Sequence, residues 1–252
     1  MSVLNEKLKN IPLVEFLILF IILLVVLFSF NFLNIAIHSS YLYLIILVYF
    51  IFKLRNSSDQ FKIEVSNIFS KISFKSIAAI VVLNIFFSYG MLYFSNFLLD
   101  IININNFRFF PAMSLNVGLF GVLGFLSVVL LSPIVEELIF RGIFLNKLKL
   151  IVPTTFAILI SSLLFASLHS FGSMFSAFIF AICVAILYLK SENILVPIFG
   201  HFLNNLIGES VYHLDSSQIL FTNPFVVGVM SLFAIISFIL LLKFIHSNWN
   251  NI

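Results

Sequence analysis

The sequence predicts an all-α, polytopic membrane protein with about eight transmembrane helices. Three observations predict it. Hydrophobic residues make up 62% of the 252 residues and charged residues 9%, against about 25% charged in a soluble domain. The apolar residues run in stretches of about 20, the length that crosses a bilayer as a helix. The basic residues fall into alternate connections between those stretches, as the positive-inside rule demands. Composition excludes a water-soluble enzyme, a disulfide-built secreted domain and a disordered chain. Lipid offers no hydrogen-bond partner to an open backbone, so the spans must be helices.

The apolar runs are 11–33, 34–54, 77–98, 115–147, 152–169, 174–190, 194–211 and 224–243. The first is too long for the apolar region of a signal peptide, which is about 7–15 residues, and no small-x-small site follows it. It is expected as a retained helix. The second is interrupted early by His38, Ser39 and Ser40. The fourth contains Pro133, which removes a backbone donor and kinks a helix. With eight spans and the N-terminus inside, Lys7, Lys9, Lys53, Arg55, Lys62, Lys71, Lys75, Lys147, Lys149, Lys190 and Lys243 are cytoplasmic. Those are eleven of thirteen bases; Arg108 lies outside and Arg141 within a span. Both termini are then cytoplasmic. The whole chain, 1–252, reads as one membrane domain.

Within 59–75, Phe61, Ile63, Val65, Ile68, Phe69 and Ile72 suit a short helix on the inner membrane surface; a polar linker fits the same residues. No internal repeat is visible. The single cysteine, Cys183, can form no disulfide within the chain. Heavy use of Phe, Ile and Asn suggests an AT-rich bacterial genome, hence a bacterial plasma membrane. The net charge of +3 gives no sign of a nucleic-acid partner.

Ionisable groups inside a span are costly and are functional candidates by default. Glu136, Glu137 and Arg141 follow Pro133. Glu137 and Arg141 are four apart and can pair on one helix face. Glu136 is rotated about 100° from Glu137, free to meet another partner and to serve as a general base. A structural ion pair between helices would not need the spare acid. Phe165 and His169, and again His201 and Asn205, repeat the four-residue spacing. Taken singly, His169 reads equally as a residue at a helix end near the outer interface, and His201 and Asn205 as helix–helix hydrogen bonds. Depth allows them to meet. Taking turns near Leu150 and Glu192, rises of about 1.5 Å per residue place Glu136, His169, His201 and Asn205 in overlapping layers, roughly 13–28 Å deep. Asn84 and Asn96 are expected as helix contacts, and Glu15 near the inner interface. Glu209, His213 and Asp215 read as a solvated loop, with a metal site as the alternative.

Glu136-Glu137-x-x-x-Arg141, Phe165-x-x-x-His169 and His201-x-x-x-Asn205, in that order, resemble the CAAX protease and bacteriocin-processing family, also called CPBP or Abi. Its eukaryotic members are the type II CAAX prenyl endopeptidases. The resemblance covers about 115–210. It implies an eight-helix intramembrane endopeptidase whose cavity opens to the cytoplasm and laterally to lipid. Glu136 and His169 would activate water, His201 and Asn205 would stabilise the oxyanion, and Glu137, Arg141 and Phe165 would support them. A small residue often follows the last histidine of the family; here it is Phe202. No cofactor is expected. If zinc were used, its ligands would be Glu136, His169 and His201. The implied partner is a peptide or membrane-protein substrate, in peptide pheromone or bacteriocin processing or in self-immunity. A non-catalytic scaffold of the same fold and a small proton-coupled transporter are the rival readings.

Overall fold

A computed structural model describes residues 3–33, 40–102 and 119–249. His38, Ser39 and Arg108, which entered the span reading, lie outside them. The described residues are helical and contain no strand. In chain order the helices are α1 Val3–Asn10, α2 Leu13–Phe32, α3 Ser40–Leu54, α4 Ser58–Ser66 and α5 Phe74–Ile101. One long rod follows, made of α6 Leu119–Leu126, α7 Ser132–Glu137 and α8 Asn146–Leu148, joined by π-helical turns at Ser127–Leu131 and Leu138–Leu145. Then come α9 Thr154–Ala166, α10 Phe171–Ser191, α11 Leu195–Leu214, α12 Ile219–Thr222 and α13 Pro224–Trp249.

α10 is the axis of the molecule. Fourteen of its residues are buried. Ala177, Ala181 and Ala185 fall one turn apart and let neighbouring backbones approach closely. This face joins a core built with Leu8, Ile143, Ile158 and Phe165. The opposite face, through Phe180, Cys183, Val184 and Leu187, packs on Ile77, Phe87, Val196 and Leu241 of α5, α11 and α13. α5 and α13 meet most closely at Gly90, where an added Cβ would fall 2.3 Å from that of Ala234. α2 behaves differently. It buries Phe16 and Leu23 but exposes Val14, Ile18, Ile21, Val25 and Phe28. Such a surface is stable against lipid and not against water.

Among the described residues, five helices are long and apolar enough to cross a membrane: Leu13–Phe30, Phe74–Ile101, Gly121–Leu148, Phe171–Ser191 and Pro224–Trp249. The predicted count of eight is therefore not reached on length and composition. Ser40–Leu54 and Thr154–Ala166 are apolar but have 15 and 13 residues; at about 1.5 Å per residue neither spans a core of about 30 Å. α11 has 20 residues, but His201, Asn204, Asn205, Glu209 and His213 make it too polar.

The segment before the first span is also more structured than the sequence suggests. α1 buries Leu4, Asn5 and Leu8 beneath the bundle, and a Cβ on Gly142 would meet Leu8 at 3.1 Å. Asn5 Nδ2 donates to the Glu192 carbonyl at 2.8 Å, and Lys7 Nζ to the Asn56 carbonyl at 2.8 Å. α4 covers the first half of the stretch that read as surface helix or linker. Its Phe61, Ile63 and Val65 are exposed, while Glu64 is buried and its carbonyl accepts from Asn193 Nδ2 at 2.8 Å. Glu15 pairs with Lys53 at 2.6 Å. Lys71 pairs with Glu192 at 2.6 Å, and that ammonium holds the Glu192 carboxyl well below the usual range, at about 2.

Candidate active site

The site begins with a backbone irregularity. Pro133 has no N–H to give, and its ring would crowd the carbonyl four residues back. The chain answers with a wide turn before it, in which the Ser132 N–H reaches the Ser127 carbonyl, five residues back. A second wide turn follows Glu137. Such π turns concentrate at functional sites and leave carbonyls looking for donors. Side chains from other elements supply them. Asn205 Nδ2 donates to the Val128 carbonyl at 2.9 Å, and Ser161 Oγ to the Phe140 carbonyl at 2.9 Å. The short α7 between the turns carries Glu136 and Glu137.

Glu137 is fully buried. Its Oε1 accepts from Arg141 at 3.0 Å and from His201 Nδ1 at 2.9 Å. Arg141, 1% exposed, also donates to the Ala181 carbonyl at 2.9 Å and lies 4.9 Å over the Phe165 ring. The charge of this buried guanidinium is paired, as its burial requires, while its Nε and Glu137 Oε2 have no hydrogen-bond partner among the described residues. Because Glu137 accepts the Nδ1 proton, the neutral His201 ring presents a lone pair at Nε2; Nε2 can donate only when the ring is an imidazolium. Phe165 and Phe180 hold the His201 ring edge-on at 5.5 and 5.9 Å.

Glu136 faces the other way, as its rotation along the helix requires. Its Oε1 accepts from Tyr43 Oη at 2.9 Å and from Ser132 Oγ. Its Oε2 lies 4.0 Å from His201 Nε2. Hydrogen bonds of about 2.8 Å bridge such a gap through one water, with a bend of roughly 90° at the oxygen. His169 sits just past the end of α9, half-buried, with Nδ1 3.1 Å from the Phe165 carbonyl and its ring 4.8 Å from Phe165. It is close enough for Glu136 and His201 to act on it electrostatically.

Glu136, Glu137, Arg141, Phe165, His169 and His201 thus come together as one cluster. Asn205 stands beside it, on the wall of a cavity of about 520 Å3. Its oxygen accepts from Asn204 at 3.3 Å, and Asn204 in turn accepts from Asn84 at 2.9 Å. One N–H of Asn205 goes to Val128, so one remains for a ligand. Phe202 stacks on Phe199 at 6.4 Å and does not line this cavity.

Three points of the sequence reading bear on this geometry. First, Glu136, His169 and His201 are the ligands only were zinc used, and no three His, Cys, Asp or Glu among the described residues are grouped to hold a metal. The same holds for Glu209, His213 and Asp215. Glu209 lines the cavity and Asp215 caps α12 through the Ile219 and Leu220 amides at 2.8 and 3.0 Å. Second, the cavity lies where α10 begins and α11 ends, away from Lys71, Lys149, Lys190 and Glu192 at the opposite ends of these helices. The resemblance implies an opening toward the basic end. Third, Tyr43 and Ser132 escaped notice. Ser132 is four residues before Glu136, the spacing that marked the other pairs. Tyr43, 93 residues away, left no signal in the sequence.

Residues 118–207 match the family model of type II CAAX prenyl endopeptidase Rce1-like proteins, which supports assignment to the CPBP/CAAX protease family. No curated protein and no solved structure matches the chain.

Proposed function

From that family match as premise, we propose that the protein is a glutamate-dependent intramembrane endopeptidase. The observation that carries the reading is the state of Glu136. It is a buried carboxyl with one oxygen fixed by two hydroxyls and the other 4.0 Å from an imidazole nitrogen, a pair that one water can bridge from the side. A structural ion pair has no use for that arrangement. Glu136, assisted by His169, takes a proton from water, and the hydroxide oxygen bonds to the scissile carbonyl carbon. The resulting oxyanion is stabilised by the remaining N–H of Asn205 and by His201 in its imidazolium form. The proton held on Glu136 passes to the amide nitrogen as the C–N bond breaks, which restores the carboxylate. Glu137 fixes the His201 ring and Arg141 fixes Glu137. Every step uses side chains of this chain and one water.

The eight-span reading puts the basic connections and both termini on the cytoplasmic side of a plasma membrane; the five helices long enough to cross among the described residues, an odd number, do not themselves put the termini on one side. With the basic end of α10 and α11 inside, the cavity opens in the outer half of the membrane. Peptides passing through or along that leaflet are then the substrates, in keeping with pheromone or bacteriocin processing or self-immunity. The test compares peptides by mass spectrometry from cells carrying the parent protein and cells carrying Glu136→Gln at equal protein level. A peptide cut in the first and intact in the second is the expected result. Matching peptide pools, with a deletion phenotype that Glu136→Gln still rescues, would replace catalysis by a scaffold role.

A further inference from the structure

The cavity that Asn205 borders has a chemical character the catalytic cluster does not use. Glu209, one turn beyond Asn205 on α11, lines it, and among the described residues no Lys or Arg does. Glu209 is half-buried. Among the described residues it pairs with His213 at 3.9 Å, a cation only when protonated. Three aromatic rings, Tyr89, Tyr212 and Phe221, line the same space. A second carboxylate, Asp215, adds negative field at Tyr89, while its own oxygens are occupied by the amides of α12. A carboxylate among aromatic faces in a partly desolvated cavity is the chemistry that selects an ammonium or guanidinium. The neutral groups Ser88, Ser170, Ser173 and Asn204 can accept or donate to the peptide around it.

We infer that this cavity is a specificity subsite for a Lys or Arg side chain of the substrate, with Glu209 as its anionic anchor and Tyr89, Tyr212 and Phe221 as its walls. The assignment rests on the endopeptidase reading for the word substrate, but the cation site itself does not depend on turnover. Residues four apart on a helix have Cβ atoms about 5–6 Å apart, and an extended peptide advances about 3.3–3.6 Å per residue. With Asn205 at the scissile carbonyl, the basic residue lies within about two positions of the cut.

The test uses the full chain in nanodiscs of uncharged phosphatidylcholine, with empty nanodiscs as baseline. N-butylguanidinium and N-butylurea share a shape and differ in charge. Isothermal titration should give at least tenfold tighter binding of the guanidinium. Glu209→Gln should reduce the two to parity, and Tyr212→Leu should weaken the guanidinium and leave the urea unchanged. Equal binding of both probes, no binding of either, or a preference that survives in Glu209→Gln overturns the subsite. Should Glu209→Gln not fold, the comparison of the two probes on the parent protein decides. Because the readout is binding, a chain that cleaves no peptide answers it equally well. A cation preference without cleavage would fell the endopeptidase reading alone.

Discussion

The deep and shallow ends of the site solve the same problem in opposite ways. At the deep end Glu137, Arg141 and His201 are at most 3% exposed, and each charge is tied to a preset partner. At the shallow end Glu209 and His213 keep about a quarter of their side-chain surface, at 25% and 28%, and sit 3.9 Å apart. A charge without water needs its partner built into the fold. A charge that keeps some water can wait for a ligand. Stability should therefore be concentrated at the deep end and recognition at the shallow one.

Four experiments break or sharpen that contrast. Arg141→Ala strands Glu137 in a dry core and should cost about 3–5 kcal/mol, read as a loss of thermal stability in detergent. A change below about 1 kcal/mol would mean that water reaches Glu137. Asn205→Ala should do the reverse. Losing an oxyanion donor lowers turnover by about 10²–10³, while its exposed bond to Val128 is worth only about 1 kcal/mol of stability. Equal damage to both would move Asn205 to the structural end. Tyr43→Phe removes one of the two hydroxyls on Glu136, a neutral hydrogen bond of about 0.5–1.5 kcal/mol. Turnover should fall by about two- to tenfold, with KM little changed and the pH–rate profile displaced. A drop in thermal stability with an unmoved profile would make Tyr43 a packing residue only.

The smallest effect lies outside the membrane. The Glu192 carboxyl titrates at about 2 beside Lys71 instead of at 4.5. A depressed value stabilises the fold above pH 4.5, and that stabilisation is lost as pH falls from 4.5 toward 2. The pair is largely exposed, so the increment is at most about 1 kcal/mol. Lys71→Met should reduce it and weaken the dependence of melting on pH in that window, as should high salt.

Much of this site was legible before folding. Glu137 with Arg141, Phe165 with His169 and His201 with Asn205 all obey the four-residue spacing of one helix face, and four of those six groups are ionisable in apolar surroundings. Asn84 was expected as a helix contact and meets Asn204. What escaped has physical reasons. Tyr43 reaches Glu136 through space, from a helix that shares no pattern with it. α1 is too short and too polar to stand out, and its order comes from Leu8 against Gly142. α11 falls below the composition of a membrane span because the polar groups that make it useful also lower its hydropathy.

The sequence alone therefore determined the apolar environment, the helical class and six members of the cluster, Glu136, Glu137, Arg141, Phe165, His169 and His201. These follow from local rules: apolar runs must leave water, backbones in lipid must close their own hydrogen bonds, and a helix brings residues four apart together. Only the tertiary structure decided which oxygen of Glu136 is held and which is free, which nitrogen of His201 is committed, and that Glu209 faces a cavity lined with aromatic rings. Those are relations between helices far apart in the chain. They depend on how the π turns around Pro133 rotate Glu136 and Glu137 against α3 and α11, and no spacing within one helix records that rotation.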